Sequence, residues 1–435
     1  MEKTTTVLCI SSLDTSGISG ITADVNAISF LGLHPLPVIV NYAIETQEFV
    51  VDVIPVASRV IENSIKHALT ENPSAIKLGM IGRKEIGEIV SSMLPPQIPM
   101  VADPVFVATS GQYFAEDAYV ETFMRSIAPR ATLITPNVPE AEILLGAKIK
   151  TPDDAKIASF ELHKKLGCNV LLKGGHIDAT DYLVSKGEIH VFPGELVALP
   201  FRGTGCILSS LIAGFLAQHL DLVAAVKKSK YLLADCLNTP QFLGKKYRVN
   251  PFWSARRNLE KWNTYITLVE NLPEFLKTLK NDYIPEVGTN IGFALPDASS
   301  KNDVCAIDGR IVRSTEGPKV IEKVKFGAGD HIPRIILTVM KFDPEKRSAM
   351  NLRYAPETVE KAKRLGFVVG TFSRKEEKEN VKDSTMEWGT ELAIRSVGTV
   401  PDMIYDLGDV GKEPMIRLIA ADPPELLKKL KKLVI

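Results

Sequence analysis

The chain has no surplus of charge of either sign. Its 52 Lys and Arg balance 52 Asp and Glu over 435 residues, which argues against a nucleic-acid or membrane-surface role. Paired cysteines are missing too. Cys9, Cys168, Cys206, Cys236 and Cys305 are odd in number and scattered, so reduced thiols are expected rather than a disulfide framework or a zinc site. The seven histidines lack metal-ligand spacing. The longest run free of charge and histidine, Gly203 to Gln218, is shorter than the ~20 residues of a membrane-spanning helix. The apolar stretch after Lys3 meets Asp14 too soon for a secretory signal. A cytoplasmic protein with no nucleic-acid or membrane partner is the expectation.

What is present is 45% hydrophobic residues over a length that calls for two or three cores. Residues 1–245 alternate short apolar runs with helical patterns. Val7–Ser12, Leu36–Tyr42, Ala75–Leu78, Met100–Ala102, Thr132–Ile134 and Asn169–Leu172 read as buried strands. Ile21–Leu31, Ala57–Leu69, Glu85–Met93 and Asp153–Leu166 read as helices between them. That alternation implies a mainly parallel sheet covered on both faces, with ligands at the carboxyl ends of its strands. Leu183–Ser185 and Ile189–Phe192 suggest an edge hairpin, and helices are expected over Cys206–Gln218 and Leu222–Leu243. Polar, aromatic-studded residues 246–261 read as a linker. Residues 262–435 read as a second α/β domain with a helix over Leu259–Leu279, β-prone runs at Ile335–Met340 and Val368–Phe372, and an amphipathic surface helix at Leu426–Ile435.

Gly203-Thr204-Gly205-Cys206, followed by the apolar run from Ile207, is the most informative stretch. Two glycines allow backbone N–H groups to close around an anion, and the helix behind them points its positive end there. A cysteine in that first turn can have a lowered pKa and serve as base or nucleophile. Read alone, the same residues also suit a helix cap with a buried structural cysteine. Five further pieces follow the first, third, fourth, fifth and sixth expected strands: Asp14-Thr15-Ser16-Gly17 with Gly20 and Asp24, Lys77-Leu78-Gly79-Met80-Ile81, Asp103-Pro104-Val105, Thr135-Pro136-Asn137-Val138-Pro139-Glu140, and Lys173-Gly174-Gly175-His176.

In that order these motifs resemble the ribokinase superfamily, and within it the hydroxymethylpyrimidine phosphate kinases, over about residues 5–245. The resemblance implies a three-layer α/β/α domain that phosphorylates the pyrimidine alcohol and then its monophosphate, with Mg²⁺-bound ATP as co-substrate. It makes Cys206 catalytic, in a slot where many relatives carry aspartate. The Gly203, Thr204, Gly205 and Cys206 amides become an anion hole. Asn137 and Glu140 order the magnesium–phosphate network, Glu140 through water and with no direct protein ligand to the metal. Lys173 and Thr204 lie near the nucleotide. Asp24, Ala43, Glu45, Met80 and Val107 border the pyrimidine. The first loop departs from the family pattern at Ser12 and Ile18, where glycines are usual. Glu45 replaces a glutamine that both donates to and accepts from the aminopyrimidine, and an ionised Glu only accepts.

The second half carries Ile284-Pro285-Glu286-Val287-Gly288-Thr289-Asn290, Asp308-Gly309-Arg310, Phe326-Gly327-Ala328-Gly329-Asp330-His331, Ser348-Ala349-Met350-Asn351-Leu352-Arg353 and Asp406-Leu407-Gly408-Asp409-Val410-Gly411-Lys412. This block resembles the ThiN-type thiamine-phosphate synthases over about 262–435. The resemblance implies a mixed-sheet α/β domain related to class II aldolases, which joins pyrimidine pyrophosphate to thiazole phosphate and releases pyrophosphate. It makes Arg310 and His331 catalytic, and it offers Asn351, Arg353, Asp406, Asp409 and Lys412 as substrate contacts. Where Ser-Arg-His is usual, this chain has Gly329-Asp330-His331. The expected partners are these small molecules and a second copy of the chain, as a homodimer. Two other readings stay open on sequence: a thiamine-phosphate sensor with a degenerate kinase domain, and a pyridoxal-type kinase.

Overall fold

The computed structural model describes residues 4–107, 113, 115–175, 177–374 and 385–434. His176 of the Lys-Gly-Gly-His motif and the terminal Ile435 lie outside them. The chain divides into two compact units, Met1–Arg256 and Arg257–Ile435.

The first unit begins β1 (Thr6–Asp14), α1 (Gly20–Phe30), β2 (His34–Glu45), β3 (Val50–Pro55), α2 (Ser58–Thr70), β4 (Ala75–Leu78), α3 (Lys84–Met93), β5 (Met100–Ala102) and α4 (Asp117–Thr122). It continues β6 (Leu133–Ile134), α5 (Val138–Leu145), α6 (Pro152–Leu166), β7 (Asn169–Leu172), β8 (Asp181–Ser185), β9 (Glu188–Phe192), β10 (Phe201–Arg202), α7 (Thr204–Ala217), α8 (Leu222–Asn238), β11 (Gln241–Phe242) and β12 (Tyr247–Arg248). Nine strands form one sheet in the order β3-β2-β1-β4-β5-β6-β7-β8-β9. The pairs from β2 to β7 are parallel, and β3, β8 and β9 are antiparallel additions at the edges. Strand order turns back between β1 and β4, so a crevice is expected beyond their carboxyl ends. Helix α7 is buried on every side from Ile207 to Ala217. That all-round apolarity is what a helix needs when it packs on the sheet beneath α1 and α8.

Residues 246–261, expected as a linker, are ordered secondary structure. They hold β12, which pairs with β10 and β11, and the first turns of α9 (Pro251–Thr278). Their polar residues have structural partners: Asn250 Oδ1 accepts from the Phe252 and Trp253 amides, and Arg257 binds Asp303 at 2.8 Å as well as Asp297. The division between units falls within α9.

The second unit then adds β13 (Ile291–Ala294), β14 (Val304–Ile307), β15 (Ile311–Val312), β16 (Lys319–Val320), β17 (Val324–Phe326), α10 (His331–Met340), β18 (Ser348–Arg353) and α11 (Pro356–Arg364). It closes with β19 (Val369–Thr371), α12 (Thr385–Val397), β20 (Met403–Asp406), β21 (Met415–Ala420) and α13 (Pro423–Val434). Seven strands form a mixed sheet, β17-β14-β13-β18-β21-β20-β19, in which only β19 and β20 run parallel. One face packs on α9, α11 and α13, and the other on α10 and α12.

Ile335–Met340 is helical, not the β-prone run expected. The β-branched composition misleads here. The buried residues Ile332, Ile335, Ile336, Val339 and Met340 follow the i, i+3, i+4, i+7, i+8 spacing of a helix face. Helix α13 is amphipathic but docked, with Leu426, Leu430 and Leu433 fully buried. Among the described residues no helix is long and apolar enough to cross a membrane.

Candidate active sites

In the first unit the Gly203–Cys206 turn opens α7. Gly203 has a left-handed backbone, φ 79°, and an added Cβ would collide with the Ile18 carbonyl oxygen. Glycine is therefore required where β10 meets the helix. Beneath the turn, a Cβ on Gly205 would stand 3.1 Å from Lys173 Nζ. Lys173 donates to Asp103 Oδ1 at 2.9 Å, and Thr135 Oγ1 donates to the same oxygen at 2.8 Å. Burial works against the charges of Lys173 and Asp103. Each nevertheless holds the other ionised, the lysine above and the aspartate below its usual range. Asn137 forms a bridge to Lys173 and caps α5 in a reciprocal box with Glu140. Burial pushes the Glu140 carboxyl up to about 8, with Lys173 opposing and Asp103 adding to the shift.

Cys206 lies within this cluster, but its ionisation is opposite to the expected one. Burial pushes the thiol up to about 11; Lys77 offsets part of this and Asp24 and Asp103 add to it. Asp24, expected against the pyrimidine, is wholly buried, 2.8 Å from Lys77 Nζ and accepting from Ser210 Oγ at 2.8 Å. Burial drives its carboxyl upward. It belongs to the floor beneath Cys206, not to a surface that substrate touches. Ala43 and Met80 are buried at the carboxyl ends of β2 and β4, and Val107 packs against the core cluster that includes Leu78, Ile81 and Phe106.

The departures in the first loop have internal partners. Ser12 Oγ donates to the Met80 carbonyl at 2.9 Å and accepts from Asn41 Nδ2 at 2.9 Å, while Ile18 is buried. Glu45 pairs with Arg202, the residue just before Gly203, and Arg202 Nη1 also donates to the Thr46 carbonyl at 2.7 Å. Burial and Asp14 raise the Glu45 carboxyl, and Arg202 opposes them. Arg202 was not anticipated, because its partner is 157 residues away.

The second unit encloses a cavity of about 430 Å³ lined by Arg310, His331, Asn351 and Lys412, and also by Asn290, Arg334, Arg374 and Arg417. Asn290 and Asn351 fix its floor: Asn351 Oδ1 accepts the Asn290 amide at 2.7 Å, and Asn290 Nδ2 donates to the Ile307 carbonyl at 2.8 Å. His331 is the first residue of α10. Burial lowers its pKa below the ordinary 6.5, and Arg310, Arg417 and Arg374 add to this against Asp330. Asp330 itself is occupied by Lys301 and Arg334.

Three expected contacts stand elsewhere. Arg353 and Asp409 are exposed outside the cavity lining. Asp406 is fully buried and bound by Arg374 Nε at 2.7 Å, Arg417 Nη1 at 2.7 Å and the Gly408 amide at 2.8 Å. Arg374 and Arg417 were missed on sequence, since only the sheet brings the stretch three residues past β19 beside β20 and β21. Among the described residues no cluster of His, Cys, Asp and Glu could hold a metal ion.

Comparison with known proteins follows this division. The family described as phosphomethylpyrimidine kinase matches residues 14–250, and the family described as thiamine-phosphate synthase ThiN matches 268–432. The bifunctional thiamine biosynthesis protein ThiDN of Methanocaldococcus jannaschii is 30% identical over 429 residues, covering 97% of each chain. The hydroxymethylpyrimidine/phosphomethylpyrimidine kinase of Aquifex aeolicus is 33% identical, spanning 56% of this chain and 99% of its own. An ADP complex of Bacillus subtilis pyridoxal kinase superposes with TM-score 0.54 at 24% identity, covering 58% of this chain and 99% of that one, a likeness of fold. With both families matched in tandem and a relative aligned end to end, the chain belongs to the bifunctional thiamine biosynthesis enzymes that join a phosphomethylpyrimidine kinase to a ThiN-type thiamine-phosphate synthase.

Proposed function

We propose that the kinase reaction runs at the turn into α7, within Met1–Arg256, and the synthase reaction in the cavity of Arg257–Ile435. In the kinase, the amides of Gly203, Thr204, Gly205 and Cys206 receive the transferred phosphoryl group, and Lys173 neutralises charge beside it. Phosphoryl transfer needs this positioning and electrostatic support more than covalent chemistry. Cys206 takes the proton as the pyrimidine hydroxyl attacks. Asn137 and Glu140 would hold the hydration shell of a Mg²⁺ carried by ATP; a buried carboxyl with its pKa raised to about 8 is one that a divalent cation would favour in ionised form. Glu45 and Arg202 together offer an acceptor and donors, the two functions that an aminopyrimidine edge requires.

In the synthase, departure of pyrophosphate leaves a resonance-stabilised pyrimidine cation that the thiazole nitrogen captures. Arg310 grips the leaving group in bidentate fashion and His331 hydrogen-bonds or protonates it. Asn351 and Lys412 contact substrate. The observation that carries this reading is the meeting of Arg310 and His331, 21 residues apart in sequence, on one cationic cavity. The test supplies pyrimidine monophosphate, thiazole phosphate and Mg-ATP. Wild type yields thiamine phosphate, Cys206→Ala stalls at the monophosphate, and Arg310→Ala accumulates the pyrophosphate. A wild type that makes no thiamine phosphate but binds it would overturn the reading.

A further inference from the structure

The synthase must hold two phosphorylated substrates at once, and like charges in one cavity of about 430 Å³ repel each other strongly unless each meets its own cation. One cation is Arg310, with the titratable His331 at the start of α10 on the same cavity wall. The second is Arg374, three residues past β19, with Arg417 from β21. These four side chains lie close enough for both Arg374 and Arg417 to depress the His331 pKa.

The second group is built, not incidental. Arg417 is 2% exposed and Asp406 0%. Both Asp406 oxygens are taken: Oδ1 by Arg374 Nε and the Gly408 amide, Oδ2 by Arg417 Nη1 at 2.7 Å and Arg374 Nη2 at 3.2 Å. The carboxylate is thus satisfied without substrate, and the arginines flanking it hold it ionised despite its burial. The guanidinium of Arg417 is less well satisfied. Beyond Asp406, its acceptors among the described residues are the Met415 carbonyl at 3.4 Å and the Met386 sulfur at 3.6 Å. One carboxylate between two guanidinium groups leaves a net positive charge with N–H donors in reserve, which is the complement of a phosphate monoester.

We propose that Arg374 and Arg417 bind the phosphate monoester of the thiazole substrate, with Asp406 as the positioning residue that fixes both guanidinium groups. The inference rests on the assignment of Arg310 and His331 to the pyrophosphate end. That end suits them because the leaving group gains charge there and a titratable histidine can follow it. Asp406 orients the receiving cations before substrate arrives and never touches it.

The experiment uses the full chain, supplied directly with pyrimidine pyrophosphate, and compares thiazole phosphate with the unphosphorylated thiazole alcohol. The far-ultraviolet circular dichroism and urea unfolding of each variant, followed by a probe in the second unit, serve as the check of folding. Arg374→Ala raises KM for thiazole phosphate roughly tenfold to a hundredfold. It leaves KM for pyrimidine pyrophosphate within about twofold and abolishes the preference for phosphate over alcohol. Asp406→Asn gives the same split, and Arg374→Lys gives it at smaller amplitude should the alanine variant fail to fold. Arg310→Ala gives the reverse split. If Arg374→Ala weakens both substrates equally, or the pyrophosphate alone, the proposal is overturned. If Arg310→Ala instead weakens only the thiazole phosphate, it is the prior assignment of the leaving-group site that fails.

Discussion

Cys206 was legible as a residue at an anion-binding turn but not as a thiol of a given acidity. The helix behind it argues for a lowered pKa, yet its surroundings come from Asp24, Lys77 and Asp103, which sequence does not place together. Their summed effect, with burial dominant, is a thiol pushed up to about 11. A base with that pKa is fully competent only at alkaline pH, so the kinase kcat rises with pH from 7 upward. Cys206→Asp shifts the rising limb to acid pH, because an aspartate there ionises far lower than a thiol. Cys206→Ala lowers kcat by about 10²- to 10⁴-fold at all pH values. A flat pH profile in the wild type would remove Cys206 from the role of base. The contrast with Asp406 is instructive. Both were picked out as polar residues in motif positions, but only the fold shows that Asp406 spends its carboxylate on two arginines.

At the scale of elements, the strands of the first unit were readable because buried parallel strands are short apolar runs. Their carboxyl ends therefore locate the Asp103, Asn137 and Lys173 motifs from sequence alone. Residues 246–261 were misread because their polar side chains look solvated in sequence and prove to be caps and ion pairs in the fold. Helix α10 was misread because composition was weighed above period. The turn into α7 is the element on which most depends. Gly203→Ala forces a Cβ into a left-handed backbone position and against the Ile18 carbonyl, which costs about 1–2 kcal/mol in conformation alone and more if the clash is not relieved. The expected outcome is a kinase reduced at least tenfold, with synthase activity on supplied pyrimidine pyrophosphate unchanged. Urea unfolding followed by a probe in each unit measures the stability loss, and equal loss of both activities would show that the turn is not local to the kinase.

For the whole molecule, the consequence of joining these two sites is an opposed response to pH. The kinase base is a thiol raised to about 11, so proton loss activates it. His331 is lowered below 6.5 by burial and by the arginines around it, so the free enzyme already carries it neutral near pH 7. If His331 supplies a proton to departing pyrophosphate, kcat/KM of the synthase step falls as pH rises through that lowered pKa. The same shift has a stability sign. The unfolded chain binds the His331 proton more readily than the fold does, so this group favours folding above pH 6.5 and the contribution fades as pH falls through the folded value. The two activities therefore diverge in alkali. With pyrimidine monophosphate, thiazole phosphate and Mg-ATP supplied together, pyrimidine pyrophosphate accumulates transiently at pH 9 and much less at pH 6.5, on the order of tenfold in the ratio of intermediate to thiamine phosphate. His331→Gln removes the pH dependence of the synthase half while leaving that of the kinase. Accumulation that is greater in acid, or that persists unchanged in His331→Gln, would mean that the proton reaching pyrophosphate comes from another group on the cavity wall.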